Sequence, residues 1–134
     1  MSMYSEKGYF VKENAPVYLT LDMDRTAKWF EEILGWYYNI VERDENGKGC
    51  YGAVFEMLPE IEVTHLAPFT GFQMFYGNPE ERVISFLLVQ GIEKMREYII
   101  SKGWTKITEV ILQPWGAKTC SLTTIDGYII NIFE

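Results

Sequence analysis

The first half of the chain passes from the spacing of a strand to that of a helix. Over residues 15–22, Val17, Leu19 and Leu21 fall on one face, and this period of two predicts a β-strand. The next segment carries apolar residues at helical spacing, which predicts an amphipathic helix. The predicted stripe consists of Ala27, Phe30 and Leu34, with Trp29 and Ile33 beside it.

Short polar side chains and glycines indicate where these elements begin and end. Asp22 or Asp24 can accept a backbone N–H bond at the start of the helix, and Gly35 suits the left-handed residue that ends it. The next strands are predicted in "YYNIVER" and "CYGAVFEM", joined by a turn that contains Asn46-Gly47, the preferred pair for a tight hairpin. A further strand is predicted in "GFQMFYG".

The same order of elements begins again after the polar link at 78–82. "VISFLLV" predicts a strand, and "GIEKMREYIISKGW" predicts a helix with Ile92, Met95 and Ile99 on one stripe and Gly103 at its end. Strands are then predicted in "TKITEVIL", "AKTCSLTT" and "YIINIF". The last two are joined through Asp126-Gly127, a turn signal.

Two Gly-Trp pairs mark corresponding points of the two halves. Gly35-Trp36 and Gly103-Trp104 each follow a predicted helix, about half the chain apart. A unit of one strand, one helix and three strands leaves a sheet face uncovered, so two units are expected to complete each other. The pattern predicts one α+β domain over 1–134 made of two βαβββ modules, at about 14–77 and about 82–134.

Composition narrows the classes of function. The net charge is −7 and no basic patch is present, which excludes an ordinary nucleic-acid binder. No apolar run approaches the roughly 20 residues of a membrane span, and charges near the start argue against a signal peptide, so a cytoplasmic protein is expected. In that compartment the two cysteines, Cys50 and Cys120, are expected to be thiols.

The chain is rich in aromatic side chains, with 4 Trp, 9 Tyr and 8 Phe. Flat rings fill hydrophobic cores, and they also line pockets for small molecules. Composition alone leaves both uses open.

Two segments of this repeat resemble the vicinal oxygen chelate superfamily, which includes glyoxalase I, extradiol dioxygenases and bleomycin-resistance proteins. "LDMDRTAKWFEEILGW" resembles its acid at a strand end, followed by a helix, an aromatic pair and Leu-Gly. "PWGAKTCSLTTIDGYIINIFE" resembles the ending of its second module, although the first Asp and the Pro of the usual turn are missing. The resemblance implies a U-shaped mixed sheet around a cleft.

The resemblance also implies four positions that hold a divalent metal in the metal-dependent members. They are usually occupied by His and Glu. In this chain they correspond to Ala15, Gln73, Ile84 and Asn131. Two are apolar and two are neutral amides, which bind metals weakly without carboxylates beside them. We therefore expect no metal and no other cofactor.

Aromatic residues accompany these positions and define the expected ligand site. Phe75, Phe86 and Phe133 lie two residues from Gln73, Ile84 and Asn131, so they are expected to point into the same space. The resemblance places Trp115 near the mouth of the cleft, where packing of its own turn is an equal alternative. The predicted ligand-binding residues are Gln73, Phe75, Phe86, Trp115, Asn131 and Phe133, with no catalytic residue among them.

The expected function is that of a metal-independent binding protein similar to the bleomycin-resistance proteins, which sequester a ligand and are usually dimers. The partner would be an aromatic or cationic small molecule, and the assembly a homodimer. The alternative is a metal-dependent enzyme of the glyoxalase or dioxygenase type. That alternative needs His65, the only histidine, or Glu62 to enter the cleft. Both lie in a segment that also reads as a loop with solvated charges, including Glu60.

Overall fold

The computed structural model describes residues 6–9, 11, 14–56 and 70–134, and within them strand, helix and three strands follow one another twice. The first series consists of β1 (Val17–Thr20), α1 (Met23–Trp29, continued by a π-helical turn over Phe30–Leu34), β2 (Tyr37–Arg43), β3 (Gly49–Phe55) and β4 (Gly71–Tyr76). The second series consists of β5 (Val83–Leu88), α2 (Ile92–Ser101), β6 (Ile111–Leu112), β7 (Lys118–Thr123) and β8 (Ile129–Phe133).

The strands form two sheets of four, and both sheets have the same topology. Their strand orders are β1-β4-β3-β2 and β5-β8-β7-β6. In each sheet the first strand of the series runs parallel to the last, whereas the other neighbours are antiparallel. This arrangement confirms the predicted α+β fold of two repeated modules.

The core lies on the helix-facing side of both sheets. In β1, the face of the strand that is buried in this core is the less apolar of its two faces. Tyr18 and Thr20 are fully buried, whereas Val17 and Leu21 are exposed. The alternation that predicts β1 is therefore correct, but of its apolar positions Val17 and Leu21 are exposed and only Leu19 packs against the core, where it is partly buried. Strand alternation identifies two faces without deciding which of them is buried.

Much of the aromatic content fills this core. Phe30 is fully buried in α1, and its ring centroid lies 5.6 Å from that of Tyr18, 5.4 Å from Trp36 and 5.9 Å from Phe72. Trp29 contacts Trp104 edge to face at 5.1 Å, which joins the ends of the two helices. The predicted stripe of α1 is buried throughout.

A buried carboxylate connects the two series of elements. Asp126 lies in the turn before β8 with a side chain that is 5% exposed. Its Oδ2 accepts hydrogen bonds from the hydroxyls of Tyr18 at 2.7 Å and Thr26 at 2.6 Å. Its Oδ1 accepts from the Thr20 hydroxyl at 3.3 Å and lies 3.8 Å from the Arg25 Nη2 atom. Burial raises the pKa of Tyr18 well above its ordinary range, so the phenol stays a hydrogen-bond donor.

The two helices begin and end with side-chain and glycine signals. Asp22 caps α1 by accepting from the Arg25 N–H at 3.1 Å, and Gly35 takes the predicted left-handed conformation after it. At the start of α2, the carboxylate of Glu134 accepts from the N–H groups of Gly91 and Ile92 at 2.7 and 3.1 Å. These two bonds hold the pKa of Glu134 below its usual value.

The predicted strand "TKITEVIL" is mostly irregular, with only Ile111 and Leu112 in β6 and one bridge from Ile107 to Leu122. The cause lies at Thr108. The Thr108 carbonyl accepts from the side chain of Arg96 at 2.9 Å. The Ser121 N–H, which would bond to that carbonyl in a regular ladder, donates to the Thr108 hydroxyl instead. The backbone ladder is therefore interrupted there.

The helices of the described residues are short. None of them is long and apolar enough to cross a membrane.

Candidate functional site

The second sheet presents an accessible face on the side away from the helices. Along β7 and β8 the residues Cys120, Leu122, Ile130 and Ile132 are buried in the core. The alternate positions are only half-buried and project from the opposite face. These alternate positions are Thr119, Ser121, Asn131 and Phe133.

A cavity of about 390 Å³ opens on this face. Phe86 of β5 and Trp115 of the turn before β7 stand at its sides, and these two residues are 67% and 74% exposed. Rings that remain this exposed contribute little to the core, and they offer flat surfaces to a ligand. The lining consists of Phe86, Trp115, Ala117, Thr119, Cys120, Ser121, Asn131, Ile132 and Phe133.

Four of the six predicted site residues therefore meet at one cavity: Phe86, Trp115, Asn131 and Phe133. Phe86 pairs with Asn131 across the parallel β5-β8 ladder. The expectation that Phe86 shares its face with Ile84 is wrong. The register shifts between Val83 and Ser85, and Ile84 packs against the core instead.

The other two predicted residues, Gln73 and Phe75, lie in β4 of the first sheet and do not line this cavity. Gln73 stands opposite Val17 and Ala53 in the ladders. Its Oε1 is buried with no hydrogen-bond partner in the part of the chain that the structure describes. Phe75 is 39% exposed, and its ring lies 5.0 Å from that of Tyr51. This face carries a second combination of an amide and aromatic rings.

Two hydrogen-bonded pairs of polar side chains lie at the floor of the cavity, and Thr119, Ser121 and Asn131 of these pairs belong to its lining, whereas Gln113 does not. Gln113 Nε2 donates to Thr119 Oγ1 at 2.8 Å. Ser121 Oγ donates to Asn131 Oδ1 at 2.7 Å. Thr119 and Ser121 were missed by the sequence argument, although the alternation of hydroxyl and apolar residues in "AKTCSLTT" indicates a strand with one polar face.

The four positions implied by the resemblance do not supply a donor set that fits a divalent metal. Of the four positions implied by the resemblance, Ala15 precedes β1, Ile84 packs toward the core, and Gln73 and Asn131 carry neutral amides. The described residues contain no cluster of three or more His, Cys, Asp or Glu side chains suited to a metal. Amide oxygens alone do not repay the cost of removing water from such an ion.

Acid, base and nucleophile candidates do not meet at the cavity within the described residues. Among the residues that the structure describes, no charged side chain belongs to its lining. Cys120 is a free thiol that is 5% exposed, and burial raises its pKa, so it stays protonated. His65, Glu60 and Glu62 lie outside the described residues. The arrangement seen here can stack on a flat molecule and orient it by hydrogen bonds.

Comparison with known proteins agrees with this architecture. Residues 15–77 match the model of the bleomycin resistance protein domain. No curated protein sequence matches the chain.

Solved structures give a quantitative measure of the likeness. A glyoxalase-related enzyme from Clostridium phytofermentans is 50% identical, with 96% of this chain and 98% of that one covered and a TM-score of 0.88. A member of the glyoxalase/bleomycin resistance protein/dioxygenase superfamily from Sphaerobacter thermophilus is 15% identical, with 93% of this chain and 98% of that one covered and a TM-score of 0.68. A bleomycin-binding protein complexed with bleomycin is 17% identical, with 91% and 97% covered and a TM-score of 0.64. The last two likenesses concern the fold alone.

Proposed function

Because this chain belongs to the glyoxalase/bleomycin resistance/dioxygenase superfamily, we propose that it is a metal-independent small-molecule-binding protein resembling the bleomycin-resistance proteins. The observation that carries the proposal is the 390 Å³ cavity with aromatic sides, a polar floor and no charged side chain in its described lining. A cavity of that size accepts a molecule of a few fused rings.

Binding at this cavity needs no chemical step. The rings of Phe86, Trp115 and Phe133 would sandwich a flat or cationic group, and Asn131 would fix its orientation by a hydrogen bond. The protein would then act in the cytoplasm by holding its ligand and lowering the free concentration of that compound.

A homodimer would bring the remaining predicted residues to the same ligand. In one chain the outer faces of both sheets leave apolar side chains exposed, among them Val17, Phe75 and Phe86. If the first module (about 14–77) of one copy faces the second module (about 82–134) of the other, Gln73 and Phe75 approach the cavity from the opposite side. The unpaired Gln73 Oε1 would then have a donor within reach, from the ligand or from the second copy.

The binding proposal is tested by titrating the protein with bleomycin and with the flat dye cation acridine orange. We expect quenching of tryptophan fluorescence, and a Trp115→Ala variant should bind roughly tenfold more weakly because a stacking partner is lost. Calorimetry gives the affinities of both proteins independently of the fluorophore.

Tyr98→Ala is the matched control, since Tyr98 is an exposed aromatic residue on α2 that does not line the cavity. This variant should bind like the unmodified chain. Equal affinity for Trp115→Ala and the unmodified chain would contradict the placement of the ligand, and the absence of any binding would count against a sequestering role.

A metal-dependent enzyme is the second candidate, and the likeness to a glyoxalase-related enzyme at 50% identity favours it. Against it stands the donor set, in which Gln73 and Asn131 occupy positions that metal-dependent relatives fill with charged or imidazole ligands. The described residues at these positions therefore do not fit a divalent metal.

Native mass spectrometry separates these candidates and tests the dimer in one measurement. For protein purified without chelator we expect twice the mass of one chain and no additional metal. Stoichiometric nickel, zinc, iron or manganese would overturn metal independence. A mass of one chain at micromolar concentration would overturn the homodimer while leaving the cavity proposal intact.

A further inference from the structure

The orientation of the Asn131 amide at the floor of the cavity is set by a neighbouring strand. Ser121 and Asn131 are direct partners in the β7-β8 ladder. The Ser121 hydroxyl donates to Asn131 Oδ1 at 2.7 Å, so the amide oxygen is already engaged. Asn131 Nδ2 has no hydrogen-bond partner among the described residues, and its two hydrogens are left for a ligand.

The second hydrogen-bonded pair at the floor also leaves a donor hydrogen without a partner. Gln113 Nε2 donates to Thr119 Oγ1 at 2.8 Å, which occupies a lone pair of that hydroxyl. A hydroxyl has one hydrogen to donate, and the Thr119 hydrogen has no acceptor among the described residues. Each pair therefore leaves a donor without a partner among the described residues: the amide hydrogens of Asn131 and the hydroxyl hydrogen of Thr119.

The described lining contains no charged side chain that would make the cavity favour a charged ligand over a hydrogen-bond acceptor. Its described side chains are aromatic, aliphatic, hydroxyl, thiol or amide groups. A cation would find ring faces there but no carboxylate, whereas a neutral acceptor would find a ring face together with an N–H group.

We propose that Ser121 and Gln113 are positioning residues that make the floor a donor surface, so that the ligand is a flat aromatic compound with a neutral hydrogen-bond acceptor, such as a ring nitrogen or a carbonyl. This inference rests on the proposed binding function and names the ligand class for the same cavity. Ser121 acts through Asn131, and Gln113 acts through Thr119.

Three probes of nearly the same shape test the preference: quinoline, naphthalene and N-methylquinolinium. At mildly alkaline pH quinoline is a neutral acceptor, naphthalene has no acceptor, and N-methylquinolinium is a cation without one. We expect quinoline to bind roughly tenfold more tightly than the other two, the value of one additional hydrogen bond. In ¹H–¹⁵N spectra, quinoline should move the side-chain amide protons of Asn131 further downfield than naphthalene does, because a hydrogen bond adds to the ring-current shift that both rings cause.

Variants of Ser121 separate amide orientation from general packing. In Ser121→Ala the amide of Asn131 is free to rotate, and the quinoline preference should fall to about threefold or less. Naphthalene affinity should remain unchanged, which a merely structural loss would not allow. Ser121→Thr keeps the hydroxyl and should restore the preference.

The outcomes distinguish this inference from the binding function on which it rests. Equal affinities for quinoline and naphthalene in the unmodified chain would overturn the donor surface and leave the aromatic cavity standing. The same holds if N-methylquinolinium binds most tightly. If none of the three probes binds at any concentration, both the donor surface and the binding function fail.

Discussion

Phe30→Ala is expected to lower the free energy of unfolding by about 4 kcal/mol, because it removes a fully buried ring from the centre of the aromatic core. The ring of Phe30 contacts those of Tyr18, Trp36 and Phe72, and the rigid surroundings would leave a cavity in its place. Urea unfolding followed by tryptophan fluorescence and circular dichroism measures the change.

Phe86→Ala provides the matched control, since it makes the same chemical change on a ring that is 67% exposed. We expect it to change the free energy of unfolding by less than about 1 kcal/mol at the same protein concentration. It should weaken ligand binding instead. A loss as large as that of Phe30→Ala would show that Phe86 serves the fold, contrary to its place in the proposed site.

The second large effect is expected for Asp126→Ala, which should cost about 3 kcal/mol of the free energy of unfolding. The substitution leaves the hydroxyls of Tyr18 and Thr26 buried without their shared acceptor. Each of these bonds joins residues that are at least 100 positions apart in the chain. The contact between the two halves should therefore weaken, and thermal unfolding should lose cooperativity or shift to lower temperature.

Asp24→Ala removes another carboxylate that is bonded to a partner, but this one lies at the surface. Asp24 and Arg43 meet at 2.9 Å with side chains that are 59% and 44% exposed. Solvent screens such a pair, so the expected cost is below about 1 kcal/mol. Equal losses for the two aspartates would contradict the view that burial, and not ion pairing as such, gives Asp126 its importance.

Local signals in the sequence predicted the elements well where sterics alone decide them. Gly35 follows its helix with positive φ, as predicted, and Gly103 lies after its helix as predicted and also has positive φ, because glycine adopts that conformation at little cost. The strand predicted over 105–112 is mostly absent, and its backbone pairing is interrupted at Thr108. There the side chain of Arg96 takes a backbone acceptor that a ladder would have used. That competition involves a residue from α2, and no local pattern announces it.

The aromatic residues show the same division. Their number predicted a large core or a pocket, and the structure contains both. Trp29 and Trp36 are buried, whereas Trp115 is 74% exposed at the cavity. Residue type is the same in each case, so only the packing of neighbouring elements separates a core ring from a ring that is free to meet a ligand.

By itself, the sequence determined the order of strands and helices and their repetition, because periodicity and turn chemistry act between near neighbours. It also placed an amide at position 131 in the last predicted strand. Only the tertiary structure decided which face of β1 is buried and that Asp126 joins the two halves. It also decided that the Ser121 hydroxyl donates to the Asn131 amide oxygen at the cavity. These features depend on contacts between distant segments, whose geometry is fixed only when the whole chain packs.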